Sequence, residues 1–150
     1  MKVFEQIISN HAFVSFASAW FAAQFAIGIQ GIFKEKSIKG FRRVIANGGM
    51  PSSHSSSVCA LCTASVLAYG FDSFQFAVSA LIALVVMNDA FGVRYETGKH
   101  SKVLKKLLKE GDVDMDVELK VAVGHTLRQV LVGAVLGIAV SIALKYLFYN

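Results

Sequence analysis

The stretch AFVSFASAWFAAQFAIGIQGIF, residues 12–33, is apolar over almost its whole length and contains no charged side chain. A helix needs about 20 such residues to cross the roughly 30 Å hydrocarbon core of a bilayer. The stretch therefore predicts a membrane-spanning helix in which Gln24 and Gln30 face protein, because polar groups are costly against lipid. The composition agrees, since 55% of the residues are hydrophobic and soluble domains hold about 45–50%.

Three further apolar stretches, residues 55–71, 74–91 and 130–149, predict three more spans. The second span is short and rich in Ser, Ala and Cys, which favours an inner helix because small residues let helices approach closely. Gly133 and Gly137 have the four-residue spacing that suits such packing in the last span. We expect one domain over residues 1–150, an all-α integral membrane bundle of about four transmembrane helices, with the first span retained rather than removed as a signal peptide.

Basic residues are concentrated in the two long connections, residues 34–54 and 92–129. They are Lys34, Lys36, Lys39, Arg42, Arg43, Arg94, Lys99, Lys102, Lys105, Lys106, Lys109, Lys120 and Arg128. Four spans place both connections on one side of the membrane, and basic loops stay in the cytoplasm. We therefore expect a multi-pass protein with both termini outside. The net charge of +5 indicates membrane lipids as partners and not nucleic acid, since no base-stacking aromatic pattern accompanies it.

The second connection holds two segments with open interpretations. Residues 101–109 predict a short amphipathic helix, with Val103, Leu104, Leu107 and Leu108 opposite lysines. It either lies among anionic headgroups or packs on its own bundle. The acidic residues that follow either bind a divalent cation or, as we prefer, begin a solvated helix. They are Asp112, Asp114, Asp116 and Glu118. Cys59 and Cys62 are interpreted as small residues of a buried helix, so no metal site is predicted.

The first of three polar clusters is GGMPSSHSS, residues 48–56. Glycines and a proline before a helix make a tight turn into its N-terminus, where free amides and the helix dipole favour phosphate. Ser52, Ser53 and Ser55 would add hydroxyl donors, and His54 a proton. The alternative is a serine-rich helix cap that contains a histidine by chance.

The second cluster is NDAFGVR, residues 88–94, at the end of the third span. Ionisable residues there usually mark a site or an ion pair. The planar guanidinium of Arg94 suits phosphate because it can bond two oxygens at once. The alternative is a structural pair of Asp89 with Arg94.

The third cluster is GHTLRQ, residues 124–129. His125 and Gln129 are four residues apart and would share one helical face. The amide would then orient the imidazole toward a substrate. The alternative is a histidine at the membrane surface. Of the other histidines, His11 is interpreted as interfacial and His100 as lining the rim of the site.

Taken together, these clusters resemble the divergent branch of the type-2 phosphatidic acid phosphatase superfamily, also described as acid phosphatase/vanadium-dependent haloperoxidase-related. That resemblance implies metal-free and cofactor-free hydrolysis of phosphate esters through two histidines. His54 would be the general acid, and His125 the nucleophile that forms a phosphohistidine. Amides near Ser52 and Ser53, with basic side chains, would stabilise the charged oxygens.

The chain also departs from the superfamily pattern. Its first motif is Lys, six residues, Arg-Pro; Lys36 and Arg43 keep the spacing, but Val44 replaces the proline. Leu119 stands where the third motif has an arginine, which leaves phosphate binding to Arg94, Arg42 or Arg43. Gln129 replaces an acidic residue, so Asp89 would have to supply that charge from another helix.

Two functions follow from this pattern. The leading one is a membrane-embedded phosphatase that acts on a lipid phosphate or lipid diphosphate at the cytoplasmic face. The alternative is a non-catalytic protein that binds lipid or another anion on the same scaffold, which Leu119 and Gln129 favour. The absence of an inverted repeat disfavours a transporter. The superfamily core has six helices, so the amphipathic segment and a second copy in a homodimer are candidates for the remainder.

Overall fold

The computed structural model describes residues 2–44, 49–110 and 124–149, and these residues contain helices and no strand. The elements are α1 (Lys2–Ser9), α2 (His11–Glu35), a 3₁₀-helix (Ile38–Val44), α3 (Ser53–Tyr69), α4 (Phe74–Asn88), a π-helical turn (Asp89–Val93), α5 (Arg94–Glu110) and α6 (Leu127–Phe148). The all-α prediction is confirmed. The predicted acidic segment, Leu119 and the side chains of Arg42 and Arg43 lie outside the described residues.

Three helical stretches in the described part of the chain are long and apolar enough to cross a membrane. They are His11–Glu35, Phe74–Leu108 and Leu127–Phe148, which correspond to the first, third and fourth predicted spans. The remaining predicted span is α3, whose 17 residues rise only about 25 Å at 1.5 Å per residue. It is not among the three, so the count of four stays a prediction.

Helix α3 lies in the centre of the bundle, in contact with α2, α4 and α6. Its contact with α6 is made through glycines: a Cβ on Gly133 would lie 2.4 Å from the carbonyl oxygen of Ser52, and one on Gly137 would lie 2.1 Å from that of Ser56. No side chain fits there, so the two backbones touch. The predictions of an inner helix and of a packing role for both glycines are confirmed.

Buried hydroxyl groups join the helices where their small residues meet. The Ser56 hydroxyl donates to the carbonyl of Ala19 at 3.1 Å, and the Ser141 hydroxyl donates to the hydroxyl oxygen of Ser15 at 3.3 Å. Water is absent from a hydrocarbon core, so polar groups there must find protein partners. The opposite faces carry large apolar side chains that are more than half exposed, as expected for contact with lipid, among them Phe21, Leu84 and Val135.

The end of the bundle where the chain starts is closed by contacts between α2 and α6. His11 Nε2 donates to the carbonyl of Ser141 at 3.1 Å, and its ring lies 5.0 Å from that of Tyr149. The Tyr149 hydroxyl donates to the carbonyl of Ile8. His11 is buried within the bundle at the first residue of α2, and its place at the membrane interface stays a prediction. Helix α1 is a separate element that the sequence analysis did not predict, and Asn10 caps α2 behind it.

Helix α5 continues from α4 through the π-helical turn. In the described ranges it packs mainly against that turn, while Val103, Leu104 and Leu107 remain at least half exposed. Packing on its own bundle was one of the two predicted roles of this amphipathic segment. The described residues do not show that packing.

The connection after α2 turns back along α2 instead of leaving it. Lys36 ends the helix in the left-handed region, with φ of 49°. A Cβ on Gly40 would lie 2.2 Å from the carbonyl oxygen of Gly31, so the 3₁₀-helix fits directly onto the α2 backbone. The Phe41 ring packs edge-on against Phe25, with centroids 6.5 Å apart. This fold-back keeps the basic connection beside the end of the bundle where α3 and α6 begin.

Candidate active site

Backbone contacts bring the three polar clusters together at this end of the bundle. The amide of Ser52 donates to the carbonyl of Gln129 at 3.0 Å, and the amide of His125 donates to the carbonyl of Ala90 at 2.9 Å. A Cβ on Gly124 would lie 2.2 Å from the amide nitrogen of Tyr95. Clusters far apart in sequence therefore form one site, and main-chain contacts fix their relative positions.

His54 and His125 face each other at the centre of this site. Their ring centroids are 6.3 Å apart and the ring planes are inclined by 73°. His54 lies in the first turn of α3 and is exposed, whereas His125 is buried just before α6. No hydrogen bond to the described residues occupies either ring, so the ring nitrogens are free to contact a third group between them.

The surroundings of His125 favour its neutral form. Burial lowers the pKa of the imidazole, and the nearby His54 and Arg94 lower it further. Burial acts because a charged ring loses solvation, and neighbouring positive charge repels a second one. A neutral imidazole keeps a nitrogen lone pair, which a nucleophile requires.

The N-terminus of α3 points into the site beside these rings. Ser52 caps it, since its hydroxyl accepts hydrogen bonds from the amide of Ser55 at 3.4 Å and from the Ser55 hydroxyl at 3.1 Å. Among the amides near Ser52 and Ser53, that of Ser52 is bonded to the carbonyl of Gln129 and is not available to a substrate oxygen in this structure. The amides of Ser53 and His54 have no acceptor in the described residues. They are orphan donors at the positive end of the helix dipole.

Arg94 and Asp89 form a salt bridge at the edge of the site, with Arg94 Nε 2.5 Å from Asp89 Oδ2. Their five-residue separation suits the wider π-helical turn, in which residues i and i+5 are paired. Asp89 therefore contacts Arg94, and the expectation that its carboxylate partners His125 is not met in the described structure. Four of the five guanidinium donors remain for another acceptor.

Gln129 has a structural role instead of the predicted orienting one. Helix α6 begins at Leu127, so His125 precedes the helix and shares no helical face with Gln129. The Gln129 side chain accepts from the amide of Thr126 at 2.8 Å, and Thr126 Oγ1 accepts from the amide of Gln129 at 3.4 Å. This is a capping box. The Thr-x-x-Gln spacing is a local signal for it, whereas the predicted pairing of Gln129 with His125 requires a helix that already includes His125.

A cavity of about 400 Å³ adjoins the site between the end of α2 and the start of α6. Its lining includes Gly49 and Met50 of the first cluster, Tyr95 just after the second, and Gly124 and Thr126 of the third. From α2 it is lined by Ile27, Gln30, Gly31 and Lys34. The sequence predicts only a role in topology for Lys34, because a cavity formed by tertiary contacts has no sequence signature.

Most of this chain matches a known protein family. The sequence model described as "Divergent PAP2 family" matches residues 8–140. The chain belongs to this family. It is also 34% identical over 158 residues, 95% of this chain and 99% of the relative, to a Bacillus subtilis (strain 168) protein described as "Uncharacterized membrane protein YuiD". No solved structure matches the chain.

Membership of the Divergent PAP2 family confirms the resemblance drawn from the three clusters, and all three lie inside the matched residues 8–140. Together with the three apolar helices and the membrane-protein relative, it establishes a membrane protein with a PAP2-like scaffold.

Of the other predicted phosphate ligands, Lys36 is exposed just beyond α2, and the Arg43 side chain lies outside the described residues. His100 is exposed on α5.

Metal ligation is not evident in this member of the Divergent PAP2 family. Within residues 2–44, 49–110 and 124–149, no group of three or more His, Cys, Asp or Glu side chains could hold a metal ion. The acidic residues at 112–118, for which cation binding was the less favoured interpretation, lie outside these ranges.

Proposed function

We propose that this protein is a phosphatase that hydrolyses a lipid phosphate or lipid diphosphate through a phosphohistidine on His125. The observation that carries the proposal is the opposed pair of His54 and His125, with ring centroids 6.3 Å apart, at the N-terminus of α3. A phosphoryl group between the rings meets a neutral nucleophile on one side and a proton donor on the other. The proposed steps call on no metal.

In the first step, the unprotonated nitrogen of His125 attacks phosphorus. The N–P bond forms as the ester P–O bond breaks, and the electron pair goes to the leaving oxygen, which takes a proton from His54. In the second step, neutral His54 removes a proton from water, the hydroxide oxygen attacks phosphorus, and the N–P bond breaks. Phosphate leaves, His125 is neutral again and His54 is protonated again.

The charge that develops on the non-bridging oxygens needs donors that are already in position. In this proposal the orphan amides of Ser53 and His54 supply two of them. Arg94 supplies a third, through the donors that its salt bridge with Asp89 leaves free. These groups meet the equatorial oxygens while the two histidines act along the line of bond breaking.

We also propose that α3 crosses the bilayer as a fourth span. The end of α2 and the end of α4 lie at the same end of the bundle, because Lys34 lines the cavity beside Thr126 and Ala90 bonds to His125. A chain whose α2 and α4 both run toward that end must return between them, and α3 is the segment that returns. Because α3 is surrounded by other helices, it needs less apolar length than a helix facing lipid.

In the proposed orientation the site faces the cytoplasm, where basic loops remain, and α5 lies among anionic headgroups. A reporter fused after Asn150 is expected to read outside, and a cytoplasmic reading would overturn this orientation. In nanodiscs, a tryptophan at Leu104 in a Trp20→Phe background should be quenched by brominated lipid. A tryptophan at Lys105 should be quenched less, and equal quenching would contradict the placement of α5.

A non-catalytic anion-binding protein is the second candidate, and one observation favours it. No carboxylate contacts His125 in the described residues, since Asp89 is paired with Arg94 and Gln129 is held in its capping box. An acid at this place helps a histidine by stabilising the imidazolium, and here the ring lacks that help.

The test is phosphate release from a panel of lipid phosphates by protein purified in nanodiscs. His125→Ala is expected to abolish release and the formation of an acid-labile phosphoprotein. His54→Ala should lower release by about 10²–10⁴-fold, and the matched control His100→Ala should retain it. Binding of lipid phosphate without any release would favour the non-catalytic candidate. Release that is unchanged in both histidine variants would rule out the proposed mechanism.

A further inference from the structure

The cavity beside His125 has no role in the steps above. It measures about 400 Å³, within the roughly 300–1,000 Å³ range of small-molecule sites. We propose that it holds a second phosphate group of the substrate, bound by Lys34. This inference rests on the proposed function and narrows its substrate to lipids that carry another phosphate beyond the one removed.

The position of the cavity links it to the reacting groups. Tyr95 lines it and is bonded in sequence to Arg94, while Gly124 and Thr126 line it on either side of His125. A phosphoryl group between His54 and His125 therefore lies within a short molecular span of the cavity. A substrate extended by one further polar group can occupy both places at once.

The charge of the cavity identifies the kind of group that it accepts. Lys34 is the one ionisable cation among the described lining residues, and no carboxylate lines the cavity there. No hydrogen bond or ion pair joins Lys34 to another described residue. An ammonium group that has no carboxylate partner among the described residues, at the cavity of a membrane protein, favours an anionic ligand through charge-assisted hydrogen bonds.

Neutral donors around Lys34 fit the same ligand. Gln30, one turn earlier on α2, and Tyr95 also line the cavity, and their side chains carry an amide and a hydroxyl group. Gln129 also lines the cavity, but its carbonyl oxygen is engaged by Thr126, so its amide NH₂ group is the part left to donate. Three donor side chains beside one cation suit the several acceptor oxygens of a phosphate.

Two lipid chemistries carry a second phosphate at such a position. In a lipid diphosphate it follows after one bridging oxygen. In a lipid whose terminal phosphomonoester is separated from a phosphodiester by a short polyol, it follows after a few more atoms. A lipid with a single phosphomonoester leaves the cavity without an anion, and we expect it to be the poorer substrate.

The experiment compares matched substrates in nanodiscs. Farnesyl diphosphate is paired with farnesyl monophosphate, and dioleoyl phosphatidylglycerol phosphate is paired with dioleoyl phosphatidic acid. For each we measure kcat/KM with the wild-type protein, Lys34→Gln, Lys34→Arg and Lys39→Gln. Lys39 is the matched control because it is exposed on the same basic connection and lies outside the cavity lining.

We expect the wild type to prefer the two-phosphate member of at least one pair, and the preferred pair identifies the source. Lys34→Gln should lower kcat/KM for that member by about tenfold or more, the scale of a lost charged hydrogen bond. It should change kcat/KM for the single-phosphate member by less than about twofold, which is well below the loss of one charged hydrogen bond. Lys34→Arg should restore most of the loss, and Lys39→Gln should change neither.

Three outcomes would overturn the inference. The first is equal release of phosphate by the wild type from both members of each pair. The second is a fall in kcat/KM by the same factor for both members in Lys34→Gln, and the third is no change in kcat/KM for either member. Each of these leaves the proposed phosphatase function standing. If the wild type releases phosphate from none of the four lipids, the proposed function itself has failed, and the two failures are thereby distinguished.

Discussion

Two buried histidines at opposite ends of the bundle show how similar burial leads to different roles. His11 is 9% exposed and His125 is 8% exposed. The ring of His11 donates to Ser141 and packs against Tyr149, whereas the ring of His125 has no hydrogen bond to the described residues and faces His54 and Arg94. Burial by itself therefore does not mark a reactive group. What distinguishes His125 is that no described residue hydrogen-bonds its ring and that positive charge lies beside it.

The largest difference in phosphate release should be between a variant that lacks His125 and a variant that lacks His11. We expect His125→Ala to reduce phosphate release by at least about 10³-fold, because the nucleophile is lost. His11→Ala should change release less than about tenfold but lower the free energy of unfolding by about 1–3 kcal/mol, since the carbonyl of Ser141 loses its donor. Initial rates and thermal unfolding in detergent check both variants. An inactive His11→Ala protein with normal stability would break the comparison.

The next effect concerns the glycine contact that holds the site end together. Gly137→Ala should destabilise the protein by about 1–3 kcal/mol, the usual cost of overpacking, because its Cβ would lie 2.1 Å from the Ser56 carbonyl oxygen. The start of α3 should move with it, and phosphate release should fall. Ala139→Val, an enlargement on the exposed face of the same helix, is the control. Equal stability of the two variants would contradict direct backbone contact.

A pH profile sharpens the difference between the two rings. The pKa of His125 is lowered by burial, by His54 and by Arg94, so the folded protein binds this proton less readily than the unfolded chain. Activity should persist below the ordinary histidine pKa of about 6.5 and fall as pH drops through the lowered value. The free energy of unfolding should fall as pH drops from about 6.5 through the lowered pKa, since the unfolded chain then binds this proton more readily than the folded protein.

Arg94→Gln removes one of the charges that lower this pKa. The acidic limb of kcat/KM should therefore move to higher pH, whatever the loss in maximal rate. Lys99→Gln, which removes an exposed charge further along α5, should leave the midpoint where it is. A midpoint that stays fixed or moves downward in Arg94→Gln would show that Arg94 does not act on His125.

The smallest effect is expected at Gln129. Gln129→Ala removes half of the capping box and should lower stability by about 0.5–1 kcal/mol, with phosphate release from a lipid that carries a single phosphate changed less than about threefold. Gln129→Glu retains an acceptor at this position and should be close to wild type in stability. If Gln129→Ala were as inactive as His125→Ala, the predicted orienting role would be restored and the structural one rejected.

The site was predictable where its signals were local and not where they depended on helix boundaries. His54, Arg94 and His125 stand in short motifs, and the structure brings them together as those motifs imply. The pairing of Gln129 with His125 failed because it assumed a helix that began before Thr126. The hydrogen bond from the Ser52 amide to the Gln129 carbonyl joins residues far apart in the chain, so no local signal indicates it. The place of Lys34 in the cavity lining was not predictable, because nothing near it in the sequence indicates a cavity.

By itself, the sequence determined the membrane class, the apolar helices and the three polar clusters that the fold brings together. These follow from the length of apolar runs and from short motifs, which depend only on neighbouring residues. The tertiary structure alone decided that the His11 ring is bonded whereas no described residue bonds the His125 ring, that Asp89 is paired with Arg94, and that Lys34 lines a cavity. Each of those depends on which backbones touch across the bundle, and contacts such as Gly137 with Ser56 or Gly124 with Tyr95 join residues that the chain keeps far apart.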